Sequence, residues 1–292
     1  MSATPPLFRR IAVFGVGLIG GSFALGLKAA GAVGEVVGVD RSAAHLERAR
    51  ELGVIDRIAA TPAEALDACD LAVLAAPVAQ TRAILAAILP HLGPQTLVTD
   101  TGSTKSDVVA AAHDVLGARA AQFIPGHPVS GGELPGPDAA RADLYRSRKV
   151  VLTPLAVNAA ADVARVRAAW EACGARVFAM PPDQHDRVLA SVSHLPHMLA
   201  YALVAQIANA PDGDLRFNFG GGGFRDFSRI AASSPEMWRD IALANRTALL
   251  DELDGYRAML ERLRGLIDAG DGPALEALFT LASRKRLNWK ID

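Results

Sequence analysis

The apolar positions fall into two regimes along the chain. Up to about residue 180 they come as short runs closed by glycine, proline or a polar residue. RIAVFGVG, GEVVGVD ending at Asp40, CDLAVLAAP stopped by Pro77, TLVTDTG, AAQFIPGHP and SRKVVLTP are of this kind. Helical stretches lie between them, such as the charged HLERARELG, which ends near Gly53. Short apolar runs alternating with helical segments predict a parallel sheet with helices on both faces.

After GARVFAMPP the pattern changes. DQHDRVLASVSHLPHMLAYALVAQIA carries long apolar stretches and predicts a buried helix. SPEMWRDIALANRTALLDELDGYRAMLERLRGLIDAG and GPALEALFTLASRKRL place apolar residues three and four apart with charges between, as amphipathic helices do. The boundary falls near Met180 to Pro182. Two domains are expected: 8–180, an α/β domain of the Rossmann type, and 181–292, an all-helical domain. No internal repeat or low-complexity tract interrupts them.

Composition narrows the class. In 292 residues, 51% are apolar, enough for a real core. Thirty Lys and Arg against 31 Asp and Glu leave no broad basic surface for nucleic acid. Cys69 and Cys173 form no CxxC, which disfavours a disulfide framework or a cysteine-built metal site. MSATPPLFRR lacks the apolar core of a signal peptide, and no run of apolar residues reaches membrane-spanning length. A soluble, cytoplasmic protein without a membrane partner is expected.

Gly15-Val16-Gly17-Leu18-Ile19-Gly20 is GxGxxG, with a strand before it and a helix after it. Gly15 permits the tight turn, Gly17 lets the backbone approach a pyrophosphate, and Gly20 lets the helix pack on the strand. The helix N-terminus, including Leu18 and Ile19, offers N–H groups to an anion. Asp40, at the end of the next run, can accept hydrogen bonds from a ribose and would repel a 2′-phosphate. NAD is therefore favoured, and Arg41 beside it leaves NADP open. A plain strand–helix turn is the alternative.

Such sheets bind ligands beyond the carboxyl ends of their strands. Three polar exits fall there: Pro77 with Gln80, DTGSTK with Ser103, and GHPVSGGE with His127 and Glu133. A histidine at that place can take a proton from an alcohol while hydride leaves the same carbon. Position alone leaves His127 evenly divided between a base and a turn residue. His194 and His197 lie three apart and share a helix face; ordinary hydrogen-bonded helix histidines are the better reading, since no metal-ligand spacing accompanies them. Arg225 and Arg229, four apart after Gly220 to Gly223, suit a small anionic substrate, with a surface salt-bridge pair as the alternative.

GVGLIGGS, DTGSTK, GHPVSGGE, SHLPH and GGGFRDFSRIAASSPEMWRDI in this order resemble the prephenate dehydrogenase family, which includes arogenate and cyclohexadienyl dehydrogenases. The likeness runs from about Phe8 to Asp268. It implies NAD(P)-dependent oxidative decarboxylation of a dicarboxylate or amino-acid cyclohexadienol, in tyrosine biosynthesis. His127 would withdraw the hydroxyl proton and Ser103 would sit beside that hydroxyl. Arg229 would grip a substrate carboxylate, and His197 would lie near the substrate side chain. Glu133 and Trp238 would help to form the pocket. The helical half resembles a dimerisation domain, so a homodimer is implied. Gly132 stands where a threonine is usual, and Arg225 where many members have lysine, so substrate preference is less fixed than reaction type. The length is expected to leave no room for a fused chorismate mutase or a full regulatory domain.

Two other readings compete. A β-hydroxyacid-type dehydrogenase shares this domain order but normally has a catalytic lysine on the first helix of the helical half, where this chain has histidines. A nucleotide-sensing binding protein would use the fold without an assembled base and carboxylate clamp.

Overall fold

The computed structural model of the protein describes residues 5–132 and 134–289. Among them, six strands form a parallel sheet: β1 (Phe8–Phe14), β2 (Val33–Val39), β3 (Arg57–Ile58), β4 (Leu71–Leu74), β5 (Leu97–Asp100) and β6 (Phe123–Ile124). Their spatial order is β3-β2-β1-β4-β5-β6. The order reverses between β1 and β4, which opens a crevice beyond their carboxyl ends. Alternation along β1 builds two cores. Ile11 and Val13 pack on one face with Phe23 and Trp170, and Ala12 and Phe14 on the other with Leu85 and Val108. Burial on both faces is why these strands read as continuous apolar runs rather than alternating ones.

The run AAQFIPGHP is not one strand. It breaks at Pro125, whose missing N–H cannot continue a ladder. β6 closes the parallel sheet, and β7 (Gly126–Pro128) opens a second one with β8 (Lys149–Leu152) and β9 (Arg176–Ala179). β7 runs antiparallel to β8, and β8 parallel to β9. His127 thus lies on a short strand, opposite Val151, and not on an open loop. The Pro125 carbonyl accepts a hydrogen bond from Thr153 N at 2.9 Å, which holds the crossing point.

β9 ends at Ala179 and Pro182 starts the helical half. Helices Pro182–Leu189 and Leu195–Ala208 are joined by a π-helical turn, Ala190–His194. Pro196, just past that turn, has no N–H for the ladder, a local cause for the wider turn. The expectation of a buried helix is corrected here: only 28% of its most apolar window is buried. The following helices cover one side of it and leave Val188 and Val192 exposed. Length and apolarity alone would let this 27-residue helix cross a bilayer. In the fold it docks on the strand domain through His185, Asp186 and His194, all buried. Helices Pro235–Ala244, Arg246–Asp268 and Gly272–Asn288 complete this half.

Candidate active site

The glycine turn has the shape its sequence predicts. Gly15 has φ +101°, and a Cβ there would come within 2.6 Å of the Ala75 carbonyl oxygen. At Gly20 a Cβ would lie 2.1 Å from the Gly15 oxygen and 2.8 Å from Val13 Cγ1. At Gly17 it would meet nothing nearer than Gly136 N, at 4.0 Å. The backbone is therefore open at the position where a pyrophosphate must approach, and helix Leu18–Ala29 begins there without a side-chain cap. These residues fit a dinucleotide. Ile19 is held at this place by Tyr145, whose hydroxyl donates to its carbonyl at 2.6 Å.

Asp40 follows directly on β2. Its carboxylate accepts hydrogen bonds from Val16 N at 3.1 Å and Ser42 N at 2.9 Å. It therefore also fixes the glycine turn, a structural duty the motif alone does not reveal. Arg41 and Pro77 are both exposed beside this crevice-facing edge of the sheet.

Beyond β5, the DTGSTK segment turns inward. Lys105 is fully buried, and its ammonium bonds the Asp100 carboxylate and, at 2.7 Å, the Gly126 carbonyl. Ser103 is half-buried, with its main chain against His194. One residue past Gly126, His127 retains 7% exposure. Its Nδ1 lies 2.8 Å from Nε2 of His185, and His185 Nδ1 lies 2.8 Å from Asp186 Oδ1. Asp186 also accepts from Lys105 N and Ser106 N, each at 2.8 Å. Burial, then the neighbouring His185, Lys105 and His194, push the pKa of His127 well below the ordinary histidine value. The ring is thus neutral near pH 7 and able to accept a proton. Burial alone would raise the Asp186 carboxyl, but its hydrogen bonds from His185, Ser106 and Lys105 outweigh that and hold it below the usual range.

The helical half supplies the opposite wall. His194 is buried, with Nδ1 3.0 Å from the Asn245 amide nitrogen, which also donates to the Asp186 carbonyl at 2.8 Å. Trp238 joins the histidine pair: its ring stacks on His197 with centroids 3.6 Å apart and meets His194 edge-on at 6.1 Å. His197 Nδ1 donates to the Ser193 carbonyl at 2.8 Å, which leaves Nε2 as its acceptor. Burial lowers the pKa of His197, the Ser193 bond opposes this, and the Arg229 cation lowers it further. Ring contacts thus join His194, Trp238 and His197 in a row, with His127 near enough to one end and Arg229 to the other for charge to act between them.

Arg225 does not join this row. Its guanidinium is exposed and pairs with Asp226 at 3.3 Å. The helix carrying it, Gly222–Ser228, ends before Arg229, which starts a tighter 3-10 turn. Glu133 lies outside the described residues. Sequence reasoning passed over Lys105, Asp100, His185, Asp186 and Asn245. The available signal was a lysine in a run otherwise destined for burial, and an adjacent His-Asp pair at the start of an apolar helix.

Comparison with known proteins gives this geometry a context. The sequence pattern of the prephenate dehydrogenase nucleotide-binding domain matches residues 23–179, and that of the prephenate dehydrogenase dimerization domain matches residues 181–281. A cyclohexadienyl dehydrogenase of Zymomonas mobilis is 37% identical over 288 residues, covering 98% of either chain. The crystal structure of Aquifex aeolicus prephenate dehydrogenase, in complex with hydroxyphenyl propionate and NAD+, superposes with a TM-score of 0.91 at 35% identity, covering 98% of this chain and 99% of that one. Synechocystis arogenate dehydrogenase follows at a TM-score of 0.80 and 32% identity, covering 95% and 98%.

Proposed function

The chain belongs to the prephenate dehydrogenase family, and from that premise we propose how its own residues carry out the reaction. It is an NAD-dependent oxidoreductase acting on prephenate, arogenate or both. Residues 8–180 hold the dinucleotide, and residues 181–292 supply the substrate wall and the subunit contact. Bound at the glycine turn, NAD supplies the hydride acceptor.

His127 is the general base. It takes the proton of the ring hydroxyl as hydride leaves the same carbon. The ring carboxylate departs as carbon dioxide, its bonding pair enters the ring, and the new phenolic oxygen recovers the proton from His127. Ser103 orients the hydroxyl, Arg229 pairs a substrate carboxylate, and the His197–Trp238 stack bounds the side-chain end. The observation that carries this reading is the row of side chains from His127 to Arg229, contributed by both halves of the chain. Arg225 and Glu133 are proposed to border the same substrate, with Arg41 tolerating the phosphate of NADP.

The same reading includes a second subunit. Helices of the second half expose Leu250, Met259, Leu260, Phe279 and Leu281, more apolar surface than isolated side chains explain. A homodimer that buries these faces, in the cytoplasm, fits the near-neutral charge and the dimerization-domain match. Light scattering is expected to give twice the 30.6 kDa chain mass.

The direct test is to mix protein and substrate with NAD or NADP, follow absorbance of the reduced nicotinamide, and compare kcat/KM for prephenate and arogenate. Turnover with either substrate, faster with NAD, is the expected result. Cofactor binding without turnover of either would favour a nucleotide sensor.

A further inference from the structure

An imidazole that accepts a proton at one nitrogen must keep its own proton on the other. Its tautomer therefore decides whether it can act as a base. We propose that His185 and Asp186 are positioning residues of the reaction, which lock His127 as the Nδ1–H tautomer so that Nε2 presents its lone pair to the substrate hydroxyl. The proposal rests on the reading of His127 as the base.

The polarity of the row follows from what each atom can do. An ionised carboxylate only accepts hydrogen bonds. At 2.8 Å from Asp186 Oδ1, His185 Nδ1 must carry a proton and donate it. With that single ring proton on Nδ1, Nε2 of His185 keeps a lone pair and accepts from His127 Nδ1, 2.8 Å away. The proton of neutral His127 is thereby committed to Nδ1. Nε2 remains, and it takes no part in this row. The reverse polarity would need protons on both ring nitrogens of His185, whose side chain is fully buried. Other titratable groups packed around the row are Asp107 and His194.

Asp186 is itself immobilised. Two main-chain N–H groups, of Lys105 and Ser106, bind its oxygens, and Asn245 binds its carbonyl. The row therefore joins the first helix of the helical half to the segment after β5. When the substrate O–H bond breaks and an Nε2–H bond forms, His127 becomes a cation. Its Nδ1–H is already directed toward His185, whose own Nδ1–H ends on an anion. That arrangement stabilises the imidazolium until the proton returns to the phenolic oxygen.

Two measurements test this. In wild-type enzyme labelled with 15N-histidine, long-range 1H–15N spectra near pH 7 read the tautomer of His127, assigned by its loss in His127→Asn. Protonation at Nδ1 is expected; protonation at Nε2 overturns the proposal. Kinetically, His185→Leu is expected to lower kcat by about 10²–10³-fold, with KM and NADH affinity within about threefold. His185→Gln, whose amide oxygen can accept from Nδ1–H, is expected to recover a substantial part of the loss. Equal loss in both variants, or no loss in either, overturns it. Wild-type turnover in His127→Asn would instead remove the base assignment, a result distinct from the tautomer reading.

Discussion

The Lys105 ammonium and the Asp100 carboxylate form an ion pair with neither side chain more than 2% exposed. Asp100 also accepts from Gly102 N at 2.8 Å and Gly126 N at 3.0 Å, and Lys105 bonds the Gly126 carbonyl. The pair therefore ties the end of β5 to the first residue of β7, next to His127. Removing one partner of such a pair leaves a bare buried charge, which costs about 3–5 kcal/mol. Lys105→Met is expected to lose stability of that order in urea denaturation. A loss below about 1 kcal/mol would show that the pair is not what fixes the strand.

Acid should destabilise the fold in a defined window. His194 has its pKa lowered by burial to about 4, and His127 is also lowered, while both would titrate near 6.5 in the unfolded chain. The unfolded state then binds more protons between those limits. The stability these neutral rings contribute is present above pH 6.5 and is lost as pH falls toward 4. For His194 alone the loss is about 2–4 kcal/mol. Melting temperature measured across this range should fall, and His194→Asn should flatten the slope. A slope unchanged by that substitution would count against the assignment.

Catalysis should separate from cofactor binding at His127. His127→Asn is expected to leave NADH affinity within about twofold and to lower kcat by about 10²–10⁴. In the wild type, the low pKa of His127 places the acid limb of kcat/KM below pH 6.5. An acid limb above 7 would point to another base.

Arg229 should act on substrate binding. Losing the partner of a desolvated substrate carboxylate costs about 2–5 kcal/mol, so Arg229→Leu is expected to raise KM at least about tenfold. An unchanged KM with prephenate would move the carboxylate site elsewhere.

Gly20→Ala tests the turn. The added methyl would overlap the Gly15 carbonyl and Val13, so the helix must shift away from β1. Overpacking of this kind costs about 1–3 kcal/mol. The pyrophosphate-binding N–H groups move with the helix, and NADH titration by fluorescence should show weaker binding. Wild-type affinity would mean that the helix does not need this close approach.

Some of this was legible in the residues. The short apolar runs named β1, β2, β4, β5 and β6 because burial on both faces keeps most of their positions apolar, whereas SRKVVLTP joined the second sheet as β8 and the two-residue β3 had no such run. GxGxxG named the turn because only glycine tolerates φ +101° at Gly15 and the 2.1 Å approach at Gly20. These are local constraints, carried by a few adjacent residues, so a one-dimensional pattern records them. Tertiary structure decided the rest. His127 meets His185 58 positions away, and Lys105 meets Asp186 81 positions away. Pro125 sends His127 into a second sheet, and the apolar helix Pro182–Ala208 keeps one side uncovered. Such contacts depend on how the helical half docks against the ends of the strands. Sequence separation says nothing about that distance, because long-range packing, not local backbone preference, sets it.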